Sequence, residues 1–544
     1  MRKVFLSLIF ILLSLIYSEA STNFIVGKAA SKDGSTLVSY SADGFNFYGE
    51  LYHYAAGIHP DGTLRDIYDW DTGRFLGKIK EAHETYNVVG NMNEFQVTIT
   101  ESTFGGRKEL VDSLGIMDYG SLMYVALQRS HTAREAIKVM TSLVTEYGYY
   151  GSGESFTIAD PDEVWVMEMI GKGPAMHGAV WVAVRIPDDC IAAHSNCSRI
   201  HQFPLDDPEN CMYSADVISY ARSKDYFNGI NKDFSFADAY CPLNFQLRRF
   251  CEARTWQFFN KFTDKGLEYL PYIQGTSDVA MPLYMKPNRK LSVEDMKNAL
   301  RDHYENTPLD SRNDDAAGPF HSPYRQWPLE YTVDGKQYFN ERAVSVQGVG
   351  FVLVAQMRVD KPDAVGGLQW FGVDDADCSV FTPIYCCTDT VPPCLAHITD
   401  ELTFNWNSSF WVFNWLANMV YPYYGLMIGD LRSKQSEMEN RFDHQHDSIE
   451  AVAVELSKTD AMAAKKILTK YSLACAQNTH NEWRKFGEFM FVKYFDGVVR
   501  RERSRKFLRD KWKMQLPEKN GGYPDDFLKQ HIKNTGDRYL VPVQ

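Results

Sequence analysis

Between Asn23 and Asn196 the chain is a succession of short β-rich segments interrupted once by helical periodicity. This order of periods constrains the fold more than any other feature. "NFIVGKAA" and "STLVSYSA", joined by the turn signal "SKDG", predict a hairpin. "YNVVGNM" and "QVTITES" flank the polar "NEF" as a second pair. From Tyr119 to Tyr147 the apolar spacing becomes helical, broken at "RSHT", where Thr132 and Glu135 predict a capping box. Strand signals return in "ESFTIAD", "EVWVMEMIG", "AVWVAVRI" and "CIAAHSN". Two hairpins, a helical pair and four further strands predict an α+β fold, with helices stacked on antiparallel sheet in a layered unit of about 200 residues.

Downstream, "SVEDMKNALRDHYEN" predicts a helix opening at Ser292 and Glu294, while "AVSVQGVGFVLVAQMR" and "GGLQWFGV" read as strands. The segment from Asp447 to Gly497 reads as helical nearly throughout. "SSFWVFNWLANMVYPYYG" carries Asn414 and Asn418 inside its apolar run and reads as core rather than a membrane span. No repeat or linker divides the chain, so residues 21–544 are expected to form one large domain with a C-terminal helical elaboration. A composition 44% hydrophobic and 23% charged is that of a globular protein, and a net charge of −13 disfavours nucleic acid as a partner. The one dense basic run, "RRERSRK" (500–506), reads as a solvated helix face at least as well as an anion site.

The beginning of the chain carries a different signal. Arg2 and Lys3 precede an apolar run from Val4 to Tyr17, followed by Ser18-Glu19-Ala20. This is the pattern of a secretory signal peptide, residues 1–20, cleaved after Ala20. The run falls short of the ~20 residues that a membrane span requires. In an exported protein some of the ten cysteines are expected to pair within the 190–251 and 378–394 groups. None has zinc-type CxxC spacing. Asn196-Cys197-Ser198 and Asn407-Ser408-Ser409 are glycosylation sequons, relevant in a eukaryote.

Several motifs fail as sites. "GSGES" lacks the order of a nucleophile elbow, and "MIGKGPAMHG" lacks Walker spacing. "DHQHD" (443–447) reads as a polar helix start rather than a metal site, and Asp374-Asp375 as a turn rather than an acid/base pair. Ser21 remains. Freed by cleavage, it would carry a hydroxyl nucleophile and an α-amine of pKa ~7.7–8.0 on one Cα, so that nucleophile and base come from a single residue. The plain alternative is a small residue of the kind cleavage sites favour.

The stretch "STNFIVGKAASKDGSTLVSYSAD" resembles the opening of the cysteine-type dipeptidases of the N-terminal-nucleophile (Ntn) hydrolases, a group that includes secernins and is related to bile-salt hydrolases and penicillin V acylases. Further matches are "ELYHYAAG", "YNVVGNMNEFQVTITESTFGGRKEL", "DYGSLMYVALQRSHTAREAIKVM", "IADPDEVWVMEMIGKG", "WVAVRIPDDCIAAHSN", "FVLVAQMR", "GGLQWFGVDD" and "GDRYLVP". The resemblance implies an αββα sandwich and hydrolysis of amide bonds in small peptides, with no metal or other cofactor. The family begins its mature chain with cysteine, in a segment like "CTN", where this chain has "STN". It implies further that Asp43 sits near the terminal amine, and that Asn196 hydrogen-bonds the tetrahedral oxyanion, a contact of ~3–4 kcal/mol. Arg254 in "CEARTWQFF" is a candidate for the arginine near this pocket in the acylase relatives.

The expected function is therefore an exported dipeptidase acting through Ser21, with a dipeptide or small peptide as its partner. Alternatives are an acylase of other N-acyl amides and a non-catalytic, peptide-binding descendant. Location is expected to be secreted or periplasmic, or the lysosome or another endomembrane lumen in a eukaryote, with no membrane contact after signal removal. Homo-oligomerisation is left open.

Overall fold

β1 (Ala20–Val26) and β2 (Thr36–Asp43) form the hairpin that "SKDG" predicts, in a register that places Ser21 opposite Ala42 and Val26 opposite Leu37. The turn between them uses Gly34 at φ +78°, a conformation costly for any residue with a Cβ. The computed structural model describes residues 20–45 and 47–543, so the expected signal segment lies, but for Ala20, outside the described residues. Next come β3 (Thr98–Gly105), helices α1 (Tyr119–Leu127) and α2 (Ala133–Tyr147), then β4 (Gly153–Ala159), β5 (Val164–Gly171), β6 (Ala179–Ile186) and β7 (Ile191–His194). The second half adds α3 (Ala253–Phe262), α4 (Val293–Leu300), β8 (Val349–Met357), β9 (Leu368–Val373) and β10 (Thr382–Tyr385). There follow α5 (Ser409–Val420), α6 (Tyr424–Ser457) and α7 (Ala461–Tyr494), then short strands and a last α-helix, Asp525–Thr535.

Two large antiparallel sheets result, with five small two-stranded ones among the described residues, making the fold mixed α+β. One runs Tyr284–Met285, β7, β1, β2, β8, β9, β10; the other runs Cys211–Tyr213, β6, β5, β4, β3, Met92–Asn93, Val88–Val89, His53–Tyr54. The sheet begun within the first 200 residues is thus completed by strands from the second half of the chain. The outer edge of β2 needs a hydrogen-bonding partner, and β8 supplies it from more than 300 residues downstream. Leu122, Ile137, Met140 and Val144 of α1 and α2 pack on Ile99, Phe156, Ile158, Trp165 and Met167 of the second sheet. The first sheet is covered by α3, whose Phe258 stacks on Phe24 at 4.4 Å, and by α7, whose Ser472 accepts the Tyr385 N–H at 3.1 Å. Among the described residues the apolar interior thus has two clusters, the one under α1 and α2 and a larger one that runs from Phe24 to Met490.

His194 links the two sheets. Its Nδ1 meets Ser102 Oγ of β3 at 2.6 Å and its Nε2 meets Thr157 Oγ1 of β4 at 2.7 Å. Burial, then the charge of Arg199, lowers its pKa to about 3, so the bridge is a neutral ring.

Local departures from expectation have identifiable causes. Thr132 caps α2 by accepting the Glu135 N–H at 3.2 Å, but the Glu135 carboxylate takes the His131 N–H at 2.7 Å, leaving the capping box half formed. α4 has a complete box between Ser292 and Asp295, yet ends at Leu300, because Tyr304 and Asn306 turn the chain at positive φ. The long C-terminal helix is two helices, restarted by Asp460, which accepts the Ala463 N–H at 2.9 Å. "DHQHD" lies in the middle of α6 rather than at a helix start. "RRERSRK" falls on the short strands Val498–Arg500, Glu502–Arg503 and Lys506–Phe507, after Asp496 and Gly497 end the helix at positive φ. α5 buries Val412, Phe413, Leu416 and Val420, and among the described residues no helix is long and apolar enough to cross a membrane. The expected disulfides are not formed: all ten cysteines are free, and nine are buried as small apolar side chains.

Candidate active site

Met92–Asn93 pairs with β3 only at Thr98, so beyond that point one edge of β3 is open. A strand edge exposes carbonyls that must find donors, and three asparagines provide them. Asn91 Nδ2 donates to Ile99 O at 2.9 Å, Asn23 Nδ2 to Glu101 O at 2.6 Å, and Asn196 Nδ2 to Thr103 O at 2.7 Å. This stitching brings β1, β3 and the turn after β7 together around Ser21.

Strand alternation splits β1 into two faces. Asn23 reaches the open edge of β3, so Ser21, two residues earlier, faces the same way; Thr22 and Phe24 face α3. Ser21 is 2% exposed and held at three atoms. Its N–H donates to Asn196 Oδ1 at 2.9 Å, its Oγ–H donates to Glu101 Oε1 at 3.1 Å, and its carbonyl accepts from Arg254 at 3.0 Å.

Asn196 follows β7 at φ +58°, the left-handed region that asparagine tolerates better than most residues. With Nδ2 committed to Thr103 O, its Oδ1 faces the Ser21 nitrogen and also accepts from Arg254 at 2.9 Å. The amide oxygen therefore meets Ser21 as an acceptor, while Thr103 O takes one of the two Nδ2 hydrogens. Since Asn196 is buried, its sequon is inaccessible, whereas Asn407 is exposed.

Asp43 lies opposite Ala20, one pair outward from Ser21. Its carboxylate pairs with Arg342 and accepts from Ser41 rather than reaching Ser21. Burial pushes its pKa up even against the Arg342 charge.

Arg254, on the first turn of α3, joins Ser21 O, Thr22 Oγ1, Ser195 O and Asn196 Oδ1 through one fixed guanidinium fork. The helix is entered through a π-helical segment, Leu247–Glu252, of the kind often found at functional positions. Burial, then the charge of Arg342, lowers the Arg254 pKa to about 10, leaving it cationic at neutral pH.

The other flank of Ser21 is acidic, which the sequence reading did not single out. Glu101 of β3 and Glu154 of β4 are diagonal neighbours, since Glu101 pairs with Phe156 and Glu154 with Thr103. Glu101 accepts from Ser21 and Tyr40; Glu154 accepts from Thr103 Oγ1 at 2.8 Å. Burial lifts the Glu101 carboxyl above its ordinary range, and burial with the Glu101 charge holds Glu154 well above it. The available signal was a glutamate inside each of two strand segments otherwise built of Thr, Ser, Ile, Phe, Gly and Ala.

Among the described residues, the one histidine–carboxylate group close enough to share an ion is His446, Asp447 and Glu450 on α6. The Glu450 carboxylate is already taken by Arg358 and Lys361.

Comparison with known proteins agrees with an enzyme. A probable dipeptidase of Latilactobacillus sakei is 27% identical over 433 residues, covering 75% of this chain and 82% of the relative. Dipeptidase A of Lactobacillus helveticus is 26% identical over 455 residues, covering 78% and 88%. A dipeptidase of Bifidobacterium longum (strain NCC 2705) is 24% identical over 430 residues, covering 71% and 74%. The sequence model of Peptidase family C69 matches residues 20–437. With its match covering well over half of the sequence, the chain belongs to Peptidase family C69 and is an enzyme of that peptidase family.

Proposed function

We propose that this enzyme is an exported dipeptidase of the Ntn-hydrolase type, with an αββα arrangement of its two sheets and outer helices, whose nucleophile is Ser21 after removal of residues 1–20. The observation that carries this reading is the grip on Ser21: nitrogen, hydroxyl and carbonyl oxygen each have a dedicated buried partner. An ordinary strand serine needs none of these beyond its ladder bonds. The names of the relatives support dipeptides as the substrate class, and the family match opens at Ala20, where the leader ends.

In the described chain the Ala20–Ser21 bond is intact, so the Ser21 nitrogen is an amide and cannot act as a base. Cleavage converts it to an amine held by Asn196 Oδ1 and vacates the position facing Asp43. The amine takes the Oγ proton directly or through one water, and Oγ bonds to the substrate carbonyl carbon. Backbone donors hold the oxyanion. The C–N bond breaks as the amine returns the proton to the leaving nitrogen, and water then hydrolyses the ester, restoring Ser21. Arg254 and Asn196 fix the backbone on which these atoms ride, a positioning role.

Assays of the mature protein and its Ser21→Ala and Ser21→Cys variants test this on dipeptides and on N-acyl amides side by side. Hydrolysis of dipeptides by the wild-type and Ser21→Cys proteins, lost in Ser21→Ala, is the expected result. Full activity in Ser21→Ala overturns the assignment. Preference for N-acyl amides over dipeptides replaces dipeptidase with acylase.

A further inference from the structure

Glu101 and Glu154 are 3% and 1% exposed, and among the described residues no lysine, arginine or histidine pairs with either. The nearby arginines are engaged elsewhere: Arg254 with Ser21, Thr22 and Asn196, and Arg342 with Asp43. Glu154 Oε1 has no hydrogen-bond donor, and the neighbouring charge that acts on this carboxyl is that of Glu101. Two carboxylates in contact require a shared proton or a cation beside them.

Two independent features point to a cation. Asn23, 0% exposed, spends its Nδ2 on Glu101 O and leaves its Oδ1 without a partner on the same side of β1 as Ser21. Tyr40, which donates to Glu101, is also one wall of a small cavity of about 10 Å³ shared with Tyr52, Trp70, Tyr124 and Phe351. Aromatic walls beside carboxylates suit an ammonium group, which gains from ring faces as well as from charge. In the uncut chain the cavity holds no more than one water, so substrate entry requires these rings to part.

The geometry places that cation relative to the chemistry. In a peptide with a free amino end, the α-nitrogen is about 2.5 Å from the first carbonyl carbon, given N–Cα and Cα–C bonds of about 1.5 Å each. With that carbon about 3–3.5 Å from the attacking oxygen, the ammonium falls within hydrogen-bond reach of a carboxylate placed, as Glu101 is, 3.1 Å from Ser21 Oγ. We propose that Glu101 and Glu154 form the subsite that receives the α-ammonium group of the substrate's first residue, so that the enzyme selects peptides with an unblocked amino end. The proposal rests on Ser21 being the nucleophile. It assigns a specificity role to two residues on strands far from Ser21 in sequence.

The test compares alanyl-alanine with N-propionyl-alanine, its isostere lacking only the amine, in the mature enzyme and in Glu101→Gln and Glu154→Gln. The expected result is a preference for alanyl-alanine in kcat/KM of about 100-fold or more. That ratio should fall at least about tenfold in each variant, chiefly through KM. A wild-type enzyme that treats the two alike, or a ratio that survives both substitutions, overturns the proposal. If neither compound is hydrolysed, the nucleophile assignment fails, and calorimetry on Ser21→Ala still decides the subsite. Tighter binding of alanyl-alanine than of its isostere, with proton release seen as a buffer-dependent enthalpy, supports it. Equal affinities, or no binding of either, overturn it.

Discussion

Two sets of buried glutamates in this molecule behave in opposite ways. Glu450, on α6, lies against Arg358, Lys361, His446 and Tyr385. Burial alone would push its pKa up, yet the His446 hydrogen bond and the Arg358 charge hold it well below the carboxylate range. Glu439 is lowered likewise by Arg301 and Lys297. Glu101 and Glu154 are as deeply buried and have hydroxyls and each other for company, so their pKa values go up. A carboxylate placed for architecture is neutralised by the fold itself. One left uncompensated beside Ser21 costs stability in the resting protein and is neutralised by whatever binds there.

Substitutions separate the two regions. The largest effect is expected for Ser21→Ala, with dipeptide turnover falling by about 1,000-fold or more while the circular dichroism spectrum and melting temperature stay close to wild type. Next, Glu450→Ala leaves the buried Arg358 and the half-buried Lys361 without this counter-charge and should cost about 3–5 kcal/mol in denaturant unfolding. Glu154→Gln, in the other region, should lose activity toward free dipeptides yet gain on the order of 1 kcal/mol, because it removes a buried carboxyl whose ionisation both burial and Glu101 oppose.

The pH dependence of that gain carries its sign. Carboxyls whose folded pKa is raised contribute stability that is present below their unfolded value near 4.3 and is lost as pH rises through the folded value. The advantage of Glu154→Gln over wild type should therefore widen from pH 4 to pH 8, read from melting temperatures. His194 works in the opposite sense. Its depressed pKa means that the unfolded chain binds the extra proton between about pH 6.5 and about 3, so the sheet-to-sheet bridge is lost on acidification. A His194→Gln variant should show a shallower fall in stability below pH 6.5, the smallest of these effects.

Much of this architecture is legible in local sequence. The β1–β2 hairpin, the α1–α2 pair and β4 to β7 follow from period and turn chemistry that act within a few residues, whereas Ser21 was singled out by the leader pattern and the family resemblance. The two-sheet arrangement does not, because β8 pairs with β2 across some 310 residues and no local pattern encodes that contact. The acidic flank was hidden for a similar reason. Glu101 gains its meaning from Ser21, 80 residues away, and from an edge of β3 that is open only because the strand Met92–Asn93 stops. For Asn196, position was readable but orientation was not. The direction of its amide is set by Thr103 O, a carbonyl 93 residues earlier.

The central claim is that leader removal creates the catalytic residue, and N-terminal sequencing of the mature, active protein tests it most directly. The account predicts Ser-Thr-Asn-Phe in the first four cycles, beginning at Ser21. An active enzyme that begins at any other residue would contradict it, because the Ser21 nitrogen would then be an amide, or Ser21 would be gone.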